Sequence, residues 1–105
     1  MGCSDWPERF ARTVDFLGED GFGRLRRSRI AVVGLGGVGS HAAVALARSG
    51  AGRLLLVDFD LVTETSLNRN PVLGPRDVGR HKVDAMAASM AAHCPDTAFD
   101  TSREF

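Results

Sequence analysis

Two short apolar runs, joined by a glycine-rich turn and a helical segment, constrain the fold of this chain most. Ile30–Val33 and Leu54–Val57 consist of aliphatic residues without polar alternation. Such runs are typical of strands that a parallel sheet buries on both faces. Between them, residues 38–49 carry apolar side chains at helical spacing and stop before Gly50, a good helix terminator. The order strand, helix, strand therefore predicts a right-handed crossover that packs the helix on a parallel sheet.

The rest of the chain extends this pattern. Apolar residues recur at helical spacing from Val83 to Cys94, and residues 97–101 could form a third strand. Residues 7–28 predict two short helices interrupted by glycines, and residues 59–79 predict a long loop. The sequence thus predicts an α/β fold, the N-terminal βαβαβ half of a Rossmann-like doubly wound parallel sheet preceded by short helices. An α+β domain with an antiparallel hairpin is the alternative, which the continuous apolar strands disfavour.

Length and charge limit the possible functions. A chain of 105 residues forms one domain at most, here divided into a helical segment (1–28) and a half-domain (29–105). Thirteen basic and thirteen acidic residues cancel, so net charge indicates neither a nucleic-acid nor a membrane partner. No apolar run could cross a bilayer and the N-terminus lacks a secretory signal, so we expect a cytoplasmic protein with reduced thiols at Cys3 and Cys94.

The turn after the first apolar run indicates a nucleotide. It reads G-x-G-G-x-G, and its glycines are Gly34, Gly36, Gly37 and Gly39. Glycines here permit a tight turn, a close approach of phosphate to the backbone and close packing of helix on strand. The amides and dipole of the helix start attract phosphate. We therefore predict that these four residues cradle phosphates.

Residues farther along distinguish two kinds of nucleotide. Asp58 ends the second strand, where an acid accepts hydrogen bonds from ribose hydroxyls in NAD domains as well. Asp60, Arg69 and Lys82 have no evident role with NAD. With ATP, the two cations would neutralise the β- and γ-phosphates and the leaving pyrophosphate, and Asp60 would help to hold Mg²⁺. Lys82 is the only lysine among thirteen basic residues.

The histidines and cysteines give no catalytic set. We expect His41 to be a neutral side chain near the turn, His81 to be exposed, and His93 to contact the end of its helix favourably. Cys94 lies at a helix end without a visible activator, which disfavours a sulfur-carrying nucleophile.

The ordered set of motifs "RFART", "SRIAVVGLGGVGSHAAVALARSGAGRLLLVDFD", "LNRN" and "VGRHKVDAM" resembles the ThiF/MoeB/HesA superfamily of adenylating enzymes, which includes relatives of ubiquitin-activating enzymes. The segments before the first strand and after the glycines are most similar to the tRNA threonylcarbamoyladenosine dehydratase branch. The resemblance covers residues 8–105. It implies ATP-dependent adenylation of a carboxylate, with release of pyrophosphate, and a modified adenosine in tRNA as the carrier of that carboxylate.

The resemblance also implies roles for single residues. The turn glycines would cradle phosphates, Asp58 would bind ribose, and Arg69 and Lys82 would contact phosphates. Arg12 matches a position that reaches into the neighbouring subunit's site, which implies a homodimer. Ser66 stands where the family loop has an asparagine, three residues before the arginine, so it would line the ATP site without an amide.

Two other departures leave alternatives open. Asn70 replaces the family's glutamine, and relatives continue for more than another hundred residues, so we expect a truncated N-terminal fragment. An NAD- or FAD-binding half-domain and a non-catalytic remnant of the family remain alternatives to an active adenylating enzyme.

Overall fold

A computed structural model of the chain describes residues 6–104. Six helices and strands follow one another after a 3₁₀ turn at Glu8–Phe10. They are α1 (Ala11–Arg27), β1 (Arg29–Val33), α2 (Gly37–Ser49), β2 (Arg53–Val57), α3 (Lys82–His93) and β3 (Ala98–Ser102). Two more 3₁₀ turns, Glu64–Asn68 and Pro75–Asp77, lie in the long connection between β2 and α3.

The three strands form one parallel sheet in the order β1-β2-β3. Ile30 pairs with Leu54, and Leu54 in turn pairs with Phe99. The helix α2 packs on β1 and β2, and α3 packs on β2 and β3. The predicted βαβαβ half of a Rossmann-like α/β fold is thus confirmed.

The prediction that the strands are buried on both faces is wrong for the described residues. Val32, Leu54 and Leu56 face the core, whereas Val33 is 67% exposed and Leu55 is 36% exposed on the opposite face. The cause is the handedness of the connections. Two successive right-handed crossovers that move the chain in one direction place α2 and α3 on the same side of the sheet. We call the uncovered side the open face.

The N-terminal segment folds back on itself at Gly18. This residue interrupts α1 with φ 77° and ψ 166°, as the glycine pattern predicts. The two halves of α1 then enclose a small apolar cluster of Phe10, Val14 and Phe22, with Trp6 packed against it. Arg26 attaches α1 to the body, because its guanidinium donates to the carbonyl of Gly50 at 3.0 Å and to that of Asp96 at 2.9 Å.

The carboxyl ends of the strands carry the residues that the sequence selects. The glycine turn follows β1, and Asp58 follows β2. In open parallel sheets, ligands bind outside these ends of the strands. Among residues 6–104, no helix has the length and apolarity that a membrane span requires.

One-sided burial predicts a difference between neighbouring leucines of β2. Leu54→Ala should lower the free energy of unfolding by about 2–5 kcal/mol, because it opens a cavity between sheet and helices. Leu55→Ala, on the open face, should cost less than about 1 kcal/mol. Urea denaturation in dilute solution measures both, and equal losses would contradict the one-sided core.

Candidate nucleotide-binding site

The turn after β1 presents unpaired backbone donors. The first described bond of the α2 ladder runs from the amide of Ser40 to the carbonyl of Gly36 at 2.9 Å, so the amides of residues 37–39 precede the ladder. No side chain caps this helix end. These amides are the groups that accept a phosphate at a helix N-terminus.

The backbone geometry requires glycine at two positions of the turn. Gly34 adopts φ +89°, a conformation that L side chains rarely enter. A Cβ on Gly39 would lie 1.7 Å from the carbonyl oxygen of Gly34, so only glycine allows the helix to approach the turn this closely. A Cβ on Gly36, in contrast, meets no atom within 4 Å and would enter the open space before the turn.

Asp58 holds the turn in place. Its side chain is buried, with Asp58 only 4% exposed. One carboxylate oxygen accepts from the amide of Leu35 and the other from the amide of Asp60, both at 2.7 Å. The predicted ribose ligand therefore already binds two backbone amides, and further acceptance would use the remaining lone pairs of the same oxygens.

The loop after β2 fixes the start of α3. Leu61 and His81 form an isolated antiparallel bridge. The amide of Lys82 donates to the carbonyl of Asp60 at 2.9 Å, next to that bridge. Lys82 is consequently the first residue of α3 and stands beside the glycine turn.

Lys82 and Arg69 bring two uncompensated cations to this place. Lys82 is 7% exposed, and its ammonium makes no hydrogen bond or ion pair within the described residues. The aliphatic part of Arg69 lies against Gly37, since a Cβ there would be 3.7 Å from the Arg69 Cβ. The Arg69 guanidinium, too, has no bond to any residue in the range 6–104. The Lys82 side chain is largely buried, but its ammonium is accessible from the cleft, so the two cations favour an anion between them.

A narrow cleft of about 10 Å³ joins these groups. Its lining includes Gly36, Gly37, Ser66, Arg69, Asn70 and Lys82. The structure thus brings together five of the sequence-predicted site residues, and Asn70 with them.

Ser66 and Asn70 have structural partners within the loop. The Ser66 hydroxyl accepts from the amide of Thr63 at 3.2 Å and shares a 2.9 Å hydrogen bond with the Thr63 hydroxyl. The Asn70 carboxamide oxygen accepts from the amides of Val72 and Leu73. Both side chains therefore shape the loop that carries Arg69, a role that sequence reasoning missed. The spacing of Thr63 and Ser66 is a capping-box spacing and could have indicated it.

Asp60 and Arg12, two further residues of the predicted site, do not line the cleft. Asp60 is exposed beside the cleft, and its carboxylate has no partner in the described part of the chain. Within residues 6–104, no three acids, histidines or cysteines cluster to form a metal site. Arg12 is exposed on α1 and does not line the cleft. One copy of the chain therefore does not bring Arg12 to the site.

The remaining titratable groups lie outside this chemistry. His41 Nδ1 donates to the carbonyl of Gly37 at 2.7 Å, in agreement with a side chain packed near the turn. The prediction that His81 is exposed is wrong, because its bridge with Leu61 buries Nδ1, which has no partner in the described structure. Burial raises the pKa of the Cys94 thiol, which makes it a poor nucleophile. Cys3 lies outside the described residues.

A family model described as "ThiF family" matches residues 10–105. The chain belongs to the ThiF family. It is 48% identical over 88 residues to the tRNA threonylcarbamoyladenosine dehydratase of Bacillus subtilis. The aligned region covers 84% of this chain and 35% of that protein. The resemblance drawn from the motifs is thereby confirmed at the level of the family.

Solved structures of ThiF-like proteins share the fold. The tRNA N6-threonylcarbamoyladenosine dehydratase TcdA of Escherichia coli, solved with ATP, superposes with a TM-score of 0.88 at 37% identity. The match covers 96% of this chain and 42% of that one. E. coli MccB with ATP gives a TM-score of 0.85 over 95% of this chain and 32% of its own, and at 24% identity it supports the fold alone. The chain thus spans well under half the length of these relatives.

The contrast between Gly36 and Gly39 gives a matched pair of variants. Gly39→Ala should lower the free energy of unfolding by about 1–3 kcal/mol, because its methyl group overlaps backbone. Gly36→Ala should leave stability within about 1 kcal/mol but weaken ATP binding about tenfold, since the methyl group enters the space before the amides. Urea denaturation and isothermal titration calorimetry separate the two effects. Unchanged ATP affinity in the folded Gly36 variant would argue against phosphate at this turn.

Proposed function

We propose that residues 29–105 form the ATP-binding half-domain of an adenylating enzyme of the ThiF family, which activates a carboxylate as an acyl-adenylate. The support comes from this chain's own site and from relatives whose structures were solved with ATP. Activity, substrate and partners are inferred for the whole protein, because the chain spans about a third of the dehydratase relative.

One observation carries this proposal, the ammonium of Lys82, which has no partner in the described chain and lines the cleft at the end of a largely buried side chain. A cation that lines a cleft without a partner in the chain attracts an anionic ligand. Here the ammonium lines the same cleft as the glycine turn and Arg69. Two cations and several free amides favour a ligand with several negative charges. A triphosphate meets that requirement more fully than the pyrophosphate of a dinucleotide.

The arrangement suits attack on the α-phosphorus of ATP. A carboxylate oxygen of the substrate forms a bond to that phosphorus, and the bond from it to the bridging oxygen of the β-phosphate breaks. The electron pair leaves with pyrophosphate. Arg69 and Lys82 would offset the negative charge that grows on this leaving group. The amides of residues 37–39 would bind the phosphates and hold them in line for the reaction. The Asp58 carboxylate would accept a hydrogen bond from a ribose hydroxyl.

Magnesium fits one residue of this site. Mg²⁺ is commonly held by one or two carboxylates together with phosphate oxygens and water. Asp60 offers one exposed carboxylate without a partner in the described structure, so it would supply the protein's ligand. Bound there, Mg²⁺ would neutralise phosphate charge. Ser66 would contribute to the cleft through the loop that it caps.

The substrate and assembly in this proposal follow the dehydratase relatives. The activated carboxylate would belong to a threonylcarbamoyl group on an adenosine of tRNA, in a cytoplasmic enzyme, and an internal nucleophile would then displace AMP and close a ring. Arg12 would act in trans, from the second subunit of a homodimer, since one copy does not place it at the cleft.

Lys82→Met tests the central role of the ammonium. Methionine keeps the buried stem without the charge, so it should change the free energy of unfolding by less than about 1 kcal/mol, while the thermal shift caused by ATP and Mg²⁺ should disappear. The exposed Arg76→Met is the control and should change neither quantity. If the Lys82 variant is destabilised and still binds ATP normally, the ammonium does not serve the nucleotide.

Comparison of nucleotides tests the class of ligand. ATP with Mg²⁺ should raise the melting temperature of the chain, and NAD and FAD at equal concentration should raise it much less. Stabilisation by a dinucleotide alone would reverse the assignment. ATP–pyrophosphate exchange with threonylcarbamoyl-modified tRNA then separates an active enzyme from a remnant, which would bind ATP without exchange.

A further inference from the structure

Three hydroxyl groups form a hydrogen-bonded chain that ends at the cleft. Ser66 lines the cleft and is 9% exposed. Its Oγ lies 2.9 Å from Oγ1 of Thr63, which in turn lies 3.1 Å from Oγ1 of Thr65. Thr65 is exposed, so its hydroxyl can exchange hydrogen bonds with water. The three hydroxyls therefore connect solvent to the cleft that Arg69 and Lys82 line.

The direction of these hydrogen bonds depends on what the cleft holds, because either hydroxyl of each pair can be the donor. Ser66 Oγ also accepts from the amide of Thr63 at 3.2 Å. When the Thr63 hydroxyl donates to Ser66 as well, both lone pairs of Ser66 Oγ are in use. In that arrangement the Ser66 proton is free to donate into the cleft.

The size of the cleft selects the acceptor. A volume of about 10 Å³ is room for one water-sized group. A whole phosphate group does not fit there, but one of its oxygens does. Asn70, which also lines the cleft, directs its amide nitrogen to the sulfur of Met86 at 3.4 Å. A single anionic oxygen in the cleft would thus meet the Ser66 hydroxyl together with the Lys82 ammonium.

We propose that Thr63 is a positioning residue for ATP binding, which turns the hydroxyl proton of Ser66 toward a phosphate oxygen in the cleft. The anion favours the direction in which Thr65 donates to Thr63 and Thr63 donates to Ser66, because each bond received makes a hydroxyl a stronger donor. This role rests on the proposed function, since it requires a nucleotide in the cleft. It adds a neutral donor to the two cations, held by a residue that does not touch the nucleotide.

Removal of single hydroxyls tests the chain of donors. Ser66→Ala should raise the dissociation constant of ATP with Mg²⁺ about tenfold in isothermal titration calorimetry, because a hydrogen bond to a charged acceptor is lost. Thr63→Val keeps the shape of the side chain and should raise the constant by about threefold or more. Thr63→Ser restores the hydroxyl and should bind like the wild type. Thr101→Val, at an exposed threonine of β3, is the control and should change nothing.

A double variant separates positioning from a structural role in the loop. If Thr63 acts through Ser66, Thr63→Val should not weaken ATP binding further when Ser66→Ala is present, whereas independent damage to the loop would add to the loss. Proton NMR gives a second readout. In the ATP complex the Ser66 hydroxyl proton should exchange slowly and couple to phosphorus, and Thr63→Val should abolish that signal. If urea denaturation shows that Ser66→Ala does not fold, Ser66→Cys replaces it, since a thiol keeps the shape but donates weakly.

The outcomes distinguish this role from the nucleotide site itself. Additive losses, or a folded Ser66 variant that binds ATP like the wild type, would overturn the role of Thr63. If Lys82→Met abolishes binding in that same case, the ATP site stands and only the chain of donors is rejected. Absence of ATP binding by the wild-type chain would reject both.

Discussion

The buried carboxylate of Asp58 is the interaction on which the site depends. It ties the amide of Leu35 in the glycine turn to the amide of Asp60 in the next loop. The carbonyl of Asp60 then accepts from the amide of Lys82 at the start of α3. Three segments that are distant in sequence are thereby fixed around one cleft. Loss of this carboxylate would leave buried donors unpaired as well as loosen the turn.

The site leaves its own polar groups unsatisfied. Amides before the α2 ladder, the Lys82 ammonium and the Arg69 guanidinium all lack acceptors in the described chain. Four arginines of the described chain pair with acids, among them Arg103 with Asp84 near the start of the same helix. The Lys82 ammonium and the Arg69 guanidinium have no such acid and line the same cleft. Cations that line a cleft without a partner are typical of binding sites for anions, where the ligand supplies the missing partner.

Much of this arrangement could be predicted from the sequence, because the local sequence patterns agree with the helices and strands that the tertiary fold requires. Apolar runs, glycine spacing and helical periodicity predict the three strands, α2 and α3 to within one residue. The N-terminal helices, predicted from residue 7, begin instead with a 3₁₀ turn, and α1 starts at Ala11. The open face could not be predicted. A continuous apolar run looks the same whether helices cover one side of a strand or both, and the side is decided by the direction in which the crossovers proceed.

Side-chain roles in the loop could be predicted less well. The sequence selects Arg69 and Lys82 by residue type and spacing, but their lack of partners depends on contacts between distant segments. Ser66 matches a family position, yet its hydroxyl binds Thr63, three residues away. His81 looks like an exposed neighbour of Lys82, and only its bridge with Leu61 shows why its ring is partly buried.

A crystal structure of the chain with a non-hydrolysable ATP analogue and Mg²⁺ tests the central claim most directly. We expect phosphate oxygens within about 4 Å of Lys82 Nζ and of the Arg69 guanidinium, with others on the amides of residues 37–39. A triphosphate bound elsewhere, with the Lys82 ammonium still unpartnered in the cleft, would contradict it.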